Sequence, residues 1–253
     1  MPANRPVALI TGAARRIGAA IVRHLHAAGY DIALHYRGST DAAQALAAAL
    51  NDARADSVLP LQTDLGEFDR LPELVAATIG RFGRLDALVN NASTFEPSPI
   101  GATTPAQWDR LFASNAHAPF FLAQAAAPHL RQAGGAIVNL TDLYAERPLR
   151  DHTVYCMAKA ALLAMTRSLA LELAPQVRVN AVAPGAILWP EPNGSDIAGD
   201  SCSLKQAQML ERTPLARTGT PEEVAEAVRW LLMDARYSTG QVLHLDGGRM
   251  LSV

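Results

Sequence analysis

Tyr155 and Lys159 stand four residues apart in VYCMAKAALLAMTRSLALEL, a stretch of helical period, so both side chains share one helix face. An ammonium beside a phenol favours the phenolate and draws the tyrosine pKa towards a range useful for proton transfer, while its other donors can reach a sugar hydroxyl. Asp142 lies thirteen residues before the tyrosine. A carboxyl group there can serve as a buried acid, or accept two parallel N–H donors from the edge of a nitrogen heterocycle. The alternatives are a surface Tyr/Lys pair on an amphipathic helix, and a structural carboxylate paired with Arg147 or Arg150.

A second group sits near the N-terminus. The apolar run Val7 to Thr11 leads directly into Gly12-Ala13-Ala14-Arg15-Arg16-Ile17-Gly18 and then into a helical segment. Backbone N–H groups and a helix N-terminus at that point suit a pyrophosphate. The spacing is T-G-x-x-x-R-x-G rather than G-x-G-x-x-G, with Arg16 where a middle glycine would stand, and an ordinary glycine turn has the same composition. A dinucleotide site that prefers NAD carries an acid at the end of the second strand. Here that strand ends His35-Tyr36-Arg37-Gly38-Ser39, with no acid. Arg37 and Ser39 offer a guanidinium and a hydroxyl to a 2′-phosphate, so the expected cofactor is NADPH/NADP.

The elements that must position these groups follow from periodicity. Short apolar runs at Val7 to Thr11, Asp31 to Tyr36, Ser57 to Gln62, Ala87 to Asn90, Ala136 to Leu140, Val177 to Ala183 and Val242 to Leu245 read as strands. Segments of helical spacing lie between them at Gly18 to Gly29, Asp41 to Ala53, Leu71 to Phe82, Thr104 to Arg131, Val154 to Leu173 and Pro221 to Met233. This alternation predicts an α/β fold: one Rossmann-type doubly wound domain over residues 1–253, with a seven-stranded, mainly parallel sheet covered by helices on both faces. The stretch 186–212 contains AILWPEPNGSDIAGD, has no clear period, and reads as an irregular substrate loop.

Composition narrows the function. Hydrophobic residues make up 49% and charged residues 18% of the 253, which fits a globular chain rather than a disordered one. Lysine plus arginine total 22 against 24 acids, giving −2, so no basic field favours nucleic acid as a partner. Cys156 and Cys202 are the two cysteines and fit no metal-ligand spacing, so no metal is expected and a reducing cytoplasm suffices. The N-terminal run breaks at Thr11-Gly12, too short to span a bilayer, and no membrane partner is expected.

In order along the chain come the glycine loop, Asn90-Asn91-Ala92, Asn115, Tyr155 with Lys159, Pro184-Gly185 and Asp246-Gly247-Gly248. This pattern resembles the short-chain dehydrogenase/reductase family over essentially the whole chain. The resemblance implies that Gly12, Arg16, Ile17, Gly18, Tyr36, Arg37, Ser39, Asn91, Ala92, Ser93, Tyr155, Lys159, Pro184 and Gly185 line the cofactor. It further implies that Asp64-Leu65 contacts adenine and that Asn115 supports a proton-relay chain. Two departures refine it: Asp142 where serine is usual, and Ser93-Thr94-Phe95 where a glycine begins the turn. Together with Arg16, HYRGS and DGGRML they resemble the pteridine reductase and dihydromonapterin reductase branch. That branch implies a small-molecule pterin substrate held by Arg16, Ser93, Phe95, Asp142 and Tyr155, lid contacts from Leu188 and Trp189, and a homotetramer. Phe95 would sandwich the flat ring against the nicotinamide; the alternative is a core phenylalanine.

Overall fold

The computed structural model describes residues 5–187 and 207–252. Seven strands form one sheet: β1 (Val7–Ile10), β2 (Asp31–Tyr36), β3 (Val58–Gln62), β4 (Ala87–Asn90), β5 (Ala136–Leu140), β6 (Arg178–Pro184) and β7 (Val242–Leu245). Their order is β3-β2-β1-β4-β5-β6-β7 and every pairing is parallel. The helices are α1 (Arg16–Ala27), α2 (Thr40–Ala53), α3 (Leu71–Phe82), α4 (Pro105–Phe112), α5 (Ala118–Ala133), α6 (Thr153–Glu172) and α7 (Pro221–Met233).

The strands are uniformly apolar because both sheet faces are covered. In β1, Ala8 and Ile10 enter a core shared with α1, α2 and α7, while Val7 and Leu9 enter one shared with α3, α5 and α6. Each fully buried Leu or Ile there contributes about 1.5–3 kcal/mol by leaving water. Arg178 ties α7 to β6: its guanidinium donates to the carbonyls of Leu231, Leu232 and Ala235 at 2.7, 2.8 and 3.1 Å, satisfying acceptors at and just past the helix C-terminus.

One long predicted helix divides. Thr104 to Arg131 is α4, a π-helical turn over Ala113–His117, and α5. Thr104 and Gln107 close a capping box at the start of α4. Pro119 has no N–H to give the carbonyl of Asn115, so the regular i→i−4 ladder cannot pass through that point. The strand order reverses direction between β1 and β4, and the loops following these strands flank the crevice where doubly wound sheets bind ligands.

Candidate active site

The loop between β1 and α1 is clamped from both sides. The Thr11 hydroxyl accepts the backbone N–H groups of Asn91 and Ala92, each at 3.0 Å. The Asn91 amide donates to the carbonyls of Thr11 and Gly12 at 2.9 and 3.0 Å. Gly12 has φ +60° and packs so closely that a Cβ would lie 2.8 Å from the Ala92 Cα. A Cβ on Gly18 would strike the Gly12 carbonyl. From β2, His35 Nδ1 accepts the Gly12 N–H at 3.2 Å, and Nε2–H donates to the Thr63 carbonyl at 3.0 Å. That pattern requires a neutral imidazole, and burial lowers the His35 pKa in the same sense.

What the loop presents is positive. Arg15 and Arg16 are exposed and, like Arg37, have no ion pair or side-chain acceptor among the described residues. Ser39 is the N-cap of α2 without a side-chain cap bond, leaving a helix N-terminus beside Arg37. Unpaired guanidiniums, an uncapped helix start and a glycine loop fit the phosphates of a dinucleotide. Tyr36 and Leu65 offer less than their positions promise: the Tyr36 ring and the Leu65 side chain are buried in opposite cores, and the Asp64 carboxylate accepts the Gly66 N–H at 2.9 Å. Ile17 is half-buried against the core that holds α1.

Asp142 and the helix α6 meet at the end of β5. The Tyr155 hydroxyl donates to Asp142 Oδ2 at 2.7 Å, and Asp142 Oδ1 accepts the Tyr144 N–H at 2.8 Å, capping a 3-10 turn over Leu143–Ala145. Lys159 is fully buried one helical turn on, its Nζ donating to the Leu140 carbonyl at 2.8 Å. Asp142 forms no ion pair with Arg147 or Arg150; the structural bond it does make is the turn cap to Tyr144 N–H. Burial raises the Asp142 pKa, opposed by Tyr144 N–H, Tyr155, Lys159 and Arg249.

The expectation that Lys159 draws Tyr155 towards phenolate is not met in this state. Burial and the adjoining Asp142 carboxylate push the phenol well above its ordinary pKa, with a smaller opposing influence from Ser93. Lys159 instead sits with its Nζ 5.8 Å from the ring centroid and bonds to a backbone carbonyl. The phenol is therefore a proton donor to Asp142, and the two form one proton-holding unit.

Phe95 completes the group from the loop after β4. It is 52% exposed, so it is not a core residue. Its ring stacks on His152 at 4.6 Å and meets the Tyr155 ring edge-on at 4.8 Å. The loop is fixed by Ser98, whose hydroxyl accepts the Val154 N–H at 3.1 Å, and by Thr94 N–H bonding to Ser114 at 3.1 Å. Asn115, buried in the π-helical turn, accepts the Ser93 hydroxyl at 2.7 Å and donates to the carbonyls of Thr94 and Leu111 at 2.8 and 2.9 Å. Its side chain thus anchors Ser93, Thr94 and Leu111, and its influence on the site runs through Ser93.

At the end of β6, the Gly185 N–H donates to the Leu245 carbonyl at 2.9 Å, following the buried Pro184, and a Cβ there would lie 2.8 Å from the Asp246 Cα. Leu188, Trp189 and most of the 186–212 stretch lie outside the described residues; 207–211 are helical. A cleft of about 850 Å³ between α1, α7 and β7 shares no residue with Asp142, Tyr155 or Lys159, and the chemistry is assigned to the latter group on geometry. Helix α6 is long and apolar enough to cross a membrane, but half of it is buried in the fold, as in a core helix. His35 escaped sequence reasoning because its partner Gly12 is 23 residues away and only strand pairing joins them.

Lys159 gives the site a readable pH limit. Burial lowers its pKa to about 8, and Asp142 acts in the opposite direction. The ammonium is lost as pH rises through that value, so kcat/KM for turnover at this site is expected to fall above about pH 8. In Asp142→Asn the anion that raises the Lys159 pKa is gone, and the limb should move to lower pH. A limb that stayed put or moved upward would take Lys159 out of the titration.

A family model described as enoyl-(acyl carrier protein) reductase matches residues 12–249. Pteridine reductase 1 of Leishmania tarentolae is 38% identical over 98% of this chain and 97% of its own. A Streptomyces violaceoruber protein named as ketoacyl reductase 2 of the granaticin polyketide synthase is 38% identical over 97% of this chain and 96% of its own. The 3-oxoacyl-[acyl-carrier-protein] reductase FabG of Staphylococcus epidermidis is 34% identical over 95% of this chain and 97% of its own. These names divide by substrate and agree on reduction. With a match that runs from the glycine loop to the C-terminal turn, and relatives similar along their whole length, this chain belongs to the short-chain dehydrogenase/reductase family of nicotinamide-dependent oxidoreductases.

Proposed function

We propose that residues 1–253 form a single NADPH-binding domain that reduces a C=N bond of a dihydropterin. The observation that carries this reading is the 2.7 Å bond between Tyr155 and Asp142, beside the exposed ring of Phe95. A flat heterocycle lying on Phe95 presents its N–H edge to the carboxylate, which accepts two parallel donors where a serine accepts one. The ring nitrogen next to the reduced carbon takes its proton from the Tyr155–Asp142 unit. Lys159 acts on the unit through its charge and orients the ribose. NADPH, when bound, supplies the hydride.

On the cofactor side, Gly12, Ile17, Gly18, Asn91, Ala92, Pro184 and Gly185 shape the cradle by backbone approach, and Arg16 reaches both a phosphate and the substrate. Ser93 and Phe95 wall the ring, with Leu188 and Trp189 as lid residues. Exposed apolar side chains on α4 and α5, with Trp108, Phe120 and Phe121 each about 40% exposed, support burial of that face in a homotetramer. Cytoplasmic placement is part of this reading, and the buried free thiol of Cys156 is compatible with it.

The similarity to ketoacyl reductases favours a second reading, reduction of a 3-oxoacyl or other carbonyl group. Steady-state oxidation of NADPH with dihydromonapterin or dihydrobiopterin, set against a 3-oxoacyl thioester, separates the two. A kcat/KM at least about tenfold higher for the thioester would replace the pterin reading.

Cofactor preference has its own test. NADPH is expected to be preferred over NADH by at least about tenfold, because a doubly charged 2′-phosphate meets unpaired Arg37 and the uncapped start of α2. Arg37→Asp should raise KM for NADPH while leaving that for NADH nearly unchanged. Equal use of the two by the unmodified protein would sink the assignment.

A further inference from the structure

Arg249 follows the turn at the end of β7. The Asp246 carboxylate accepts the N–H groups of Gly248 and Met250 at 2.9 and 2.6 Å. Gly247 and Gly248 adopt φ of +64° and +86°, and a Cβ on Gly248 would lie 3.0 Å from Pro214. The backbone is thus held in one conformation. From the loop that carries Asp142, the Arg147 guanidinium donates to the Arg249 carbonyl, fastening the C-terminal turn to the candidate site. The Arg249 charge reaches both Asp142 and Tyr144.

Among the described residues its guanidinium has no partner. Arg249 is half-buried, its Nη1 is sealed from solvent, and none of its N–H groups meets an acceptor among the described residues. Three other half-buried arginines are engaged: Arg54 donates to the His26 and Tyr30 carbonyls, although its Nε is orphaned as well, Arg178 to the carbonyls of Leu231, Leu232 and Ala235, and Arg147 to Arg249 itself. Asp142 is not the missing partner: its oxygens accept from Tyr144 N–H and the Tyr155 hydroxyl, and no hydrogen bond or ion pair joins it to Arg249. A guanidinium taken partly out of water without an acceptor is costly, so a chain that fixes one this firmly provides for an acceptor that arrives from outside.

We propose that Arg249 binds an anionic oxygen group, a carboxylate or a phosphate, on the tail of the substrate whose ring is held at Asp142 and Tyr155. The fork of a guanidinium takes either group in bidentate fashion, and the positive charge of Arg249 acts on Asp142 alongside that of the buried Lys159. The proposal rests on the pterin reading for its ring and adds the class: reduced pterins with a charged side chain over those with a short neutral one.

The test compares wild type with Arg249→Met and Arg249→Lys, after thermal melts establish equal folding. Kinetics are measured with dihydrofolate, whose tail carries carboxylates, with a dihydropterin phosphate ester, and with 6-methyl-dihydropterin, whose tail is neutral. Arg249→Met should lower kcat/KM for a charged-tail substrate at least tenfold, mainly through KM, and leave 6-methyl-dihydropterin within twofold; Arg249→Lys should recover part of the loss. Whichever charged substrate suffers more identifies the natural anion. Unchanged kinetics with both charged substrates, or equal losses on all three, would overturn the proposal. Should wild type reduce none of them, the pterin reading fails by itself. The decision on Arg249 then falls to calorimetric titration of NADP-saturated protein with glutarate and inorganic phosphate: binding lost in Arg249→Met supports it, and identical binding overturns it.

Discussion

Tyr155→Phe is expected to lower kcat for NADPH-dependent pterin reduction by at least about a hundredfold, the usual range for loss of a general acid. Phenylalanine keeps the ring, its edge-on contact with Phe95 and its place on α6, so only the hydroxyl that bonds to Asp142 leaves. NADPH binding, which depends on the glycine loop and the arginines around it, should remain within about twofold by fluorescence titration. The substitution also strands Asp142 Oδ2. A buried carboxylate stripped of a donor costs on the order of 1–3 kcal/mol unless it takes up a proton. A melting temperature that is lower at pH 8 than at pH 6, relative to wild type, would report that cost. Retention of wild-type kcat would remove Tyr155 from the proton-holding unit.

The parts of the molecule that local chemistry dictates were legible in the sequence. Four of the seven strands, β2, β4, β5 and β7, begin and end where apolar runs do, and α3 and α7 coincide with their helical periods. Buried parallel strands have no polar face to blur the signal. Thr220 with Glu223, and Pro221 between them, mark the start of α7 through capping chemistry that any reader of the chain can see. The break at Ala113–His117 was not read, although Pro119 carried the signal: a proline in a helical period removes one N–H, here the one Asn115 would have received.

The site divides along the same line. Asp142, Tyr155 and Lys159 were legible as types and spacings, but the state they share was not. Spacing on α6 pairs tyrosine with lysine, whereas the fold brings a carboxylate from the end of β5 to 2.7 Å and leaves the ammonium on a carbonyl. Which neighbour controls the phenol is decided by tertiary geometry, and periodicity carries none of it. His35 beneath Gly12, Asn115 behind Ser93 and Arg249 with its charge acting on Asp142 were hidden for the same reason, since each acts across strands or turns far apart in the chain.

Asp142→Ser, which installs the residue usual in the wider family, is expected to lower kcat/KM for pterin reduction by at least about tenfold and to affect diketone reduction less. The loss corresponds to about 1.5–3 kcal/mol, the range for a hydrogen bond to a charged group. The substitution is a fair one structurally. Asp142 caps the 3-10 turn over Leu143–Ala145 through the Tyr144 N–H, and serine is as good a cap, so the turn survives. What serine cannot do is accept two parallel N–H donors or hold a proton in common with Tyr155. A carbonyl substrate asks for neither, because a hydroxyl meets its oxygen directly. Relief from the carboxylate also lets the Tyr155 pKa fall, which by itself favours proton release to an alkoxide. The two substrates should therefore separate, and the ratio of their kcat/KM values, taken on proteins with matching melts, is the quantity to read. An unchanged ratio would leave Asp142 a turn cap with no part in choosing the substrate, and the ketoacyl reductases would become the better guide to this chain.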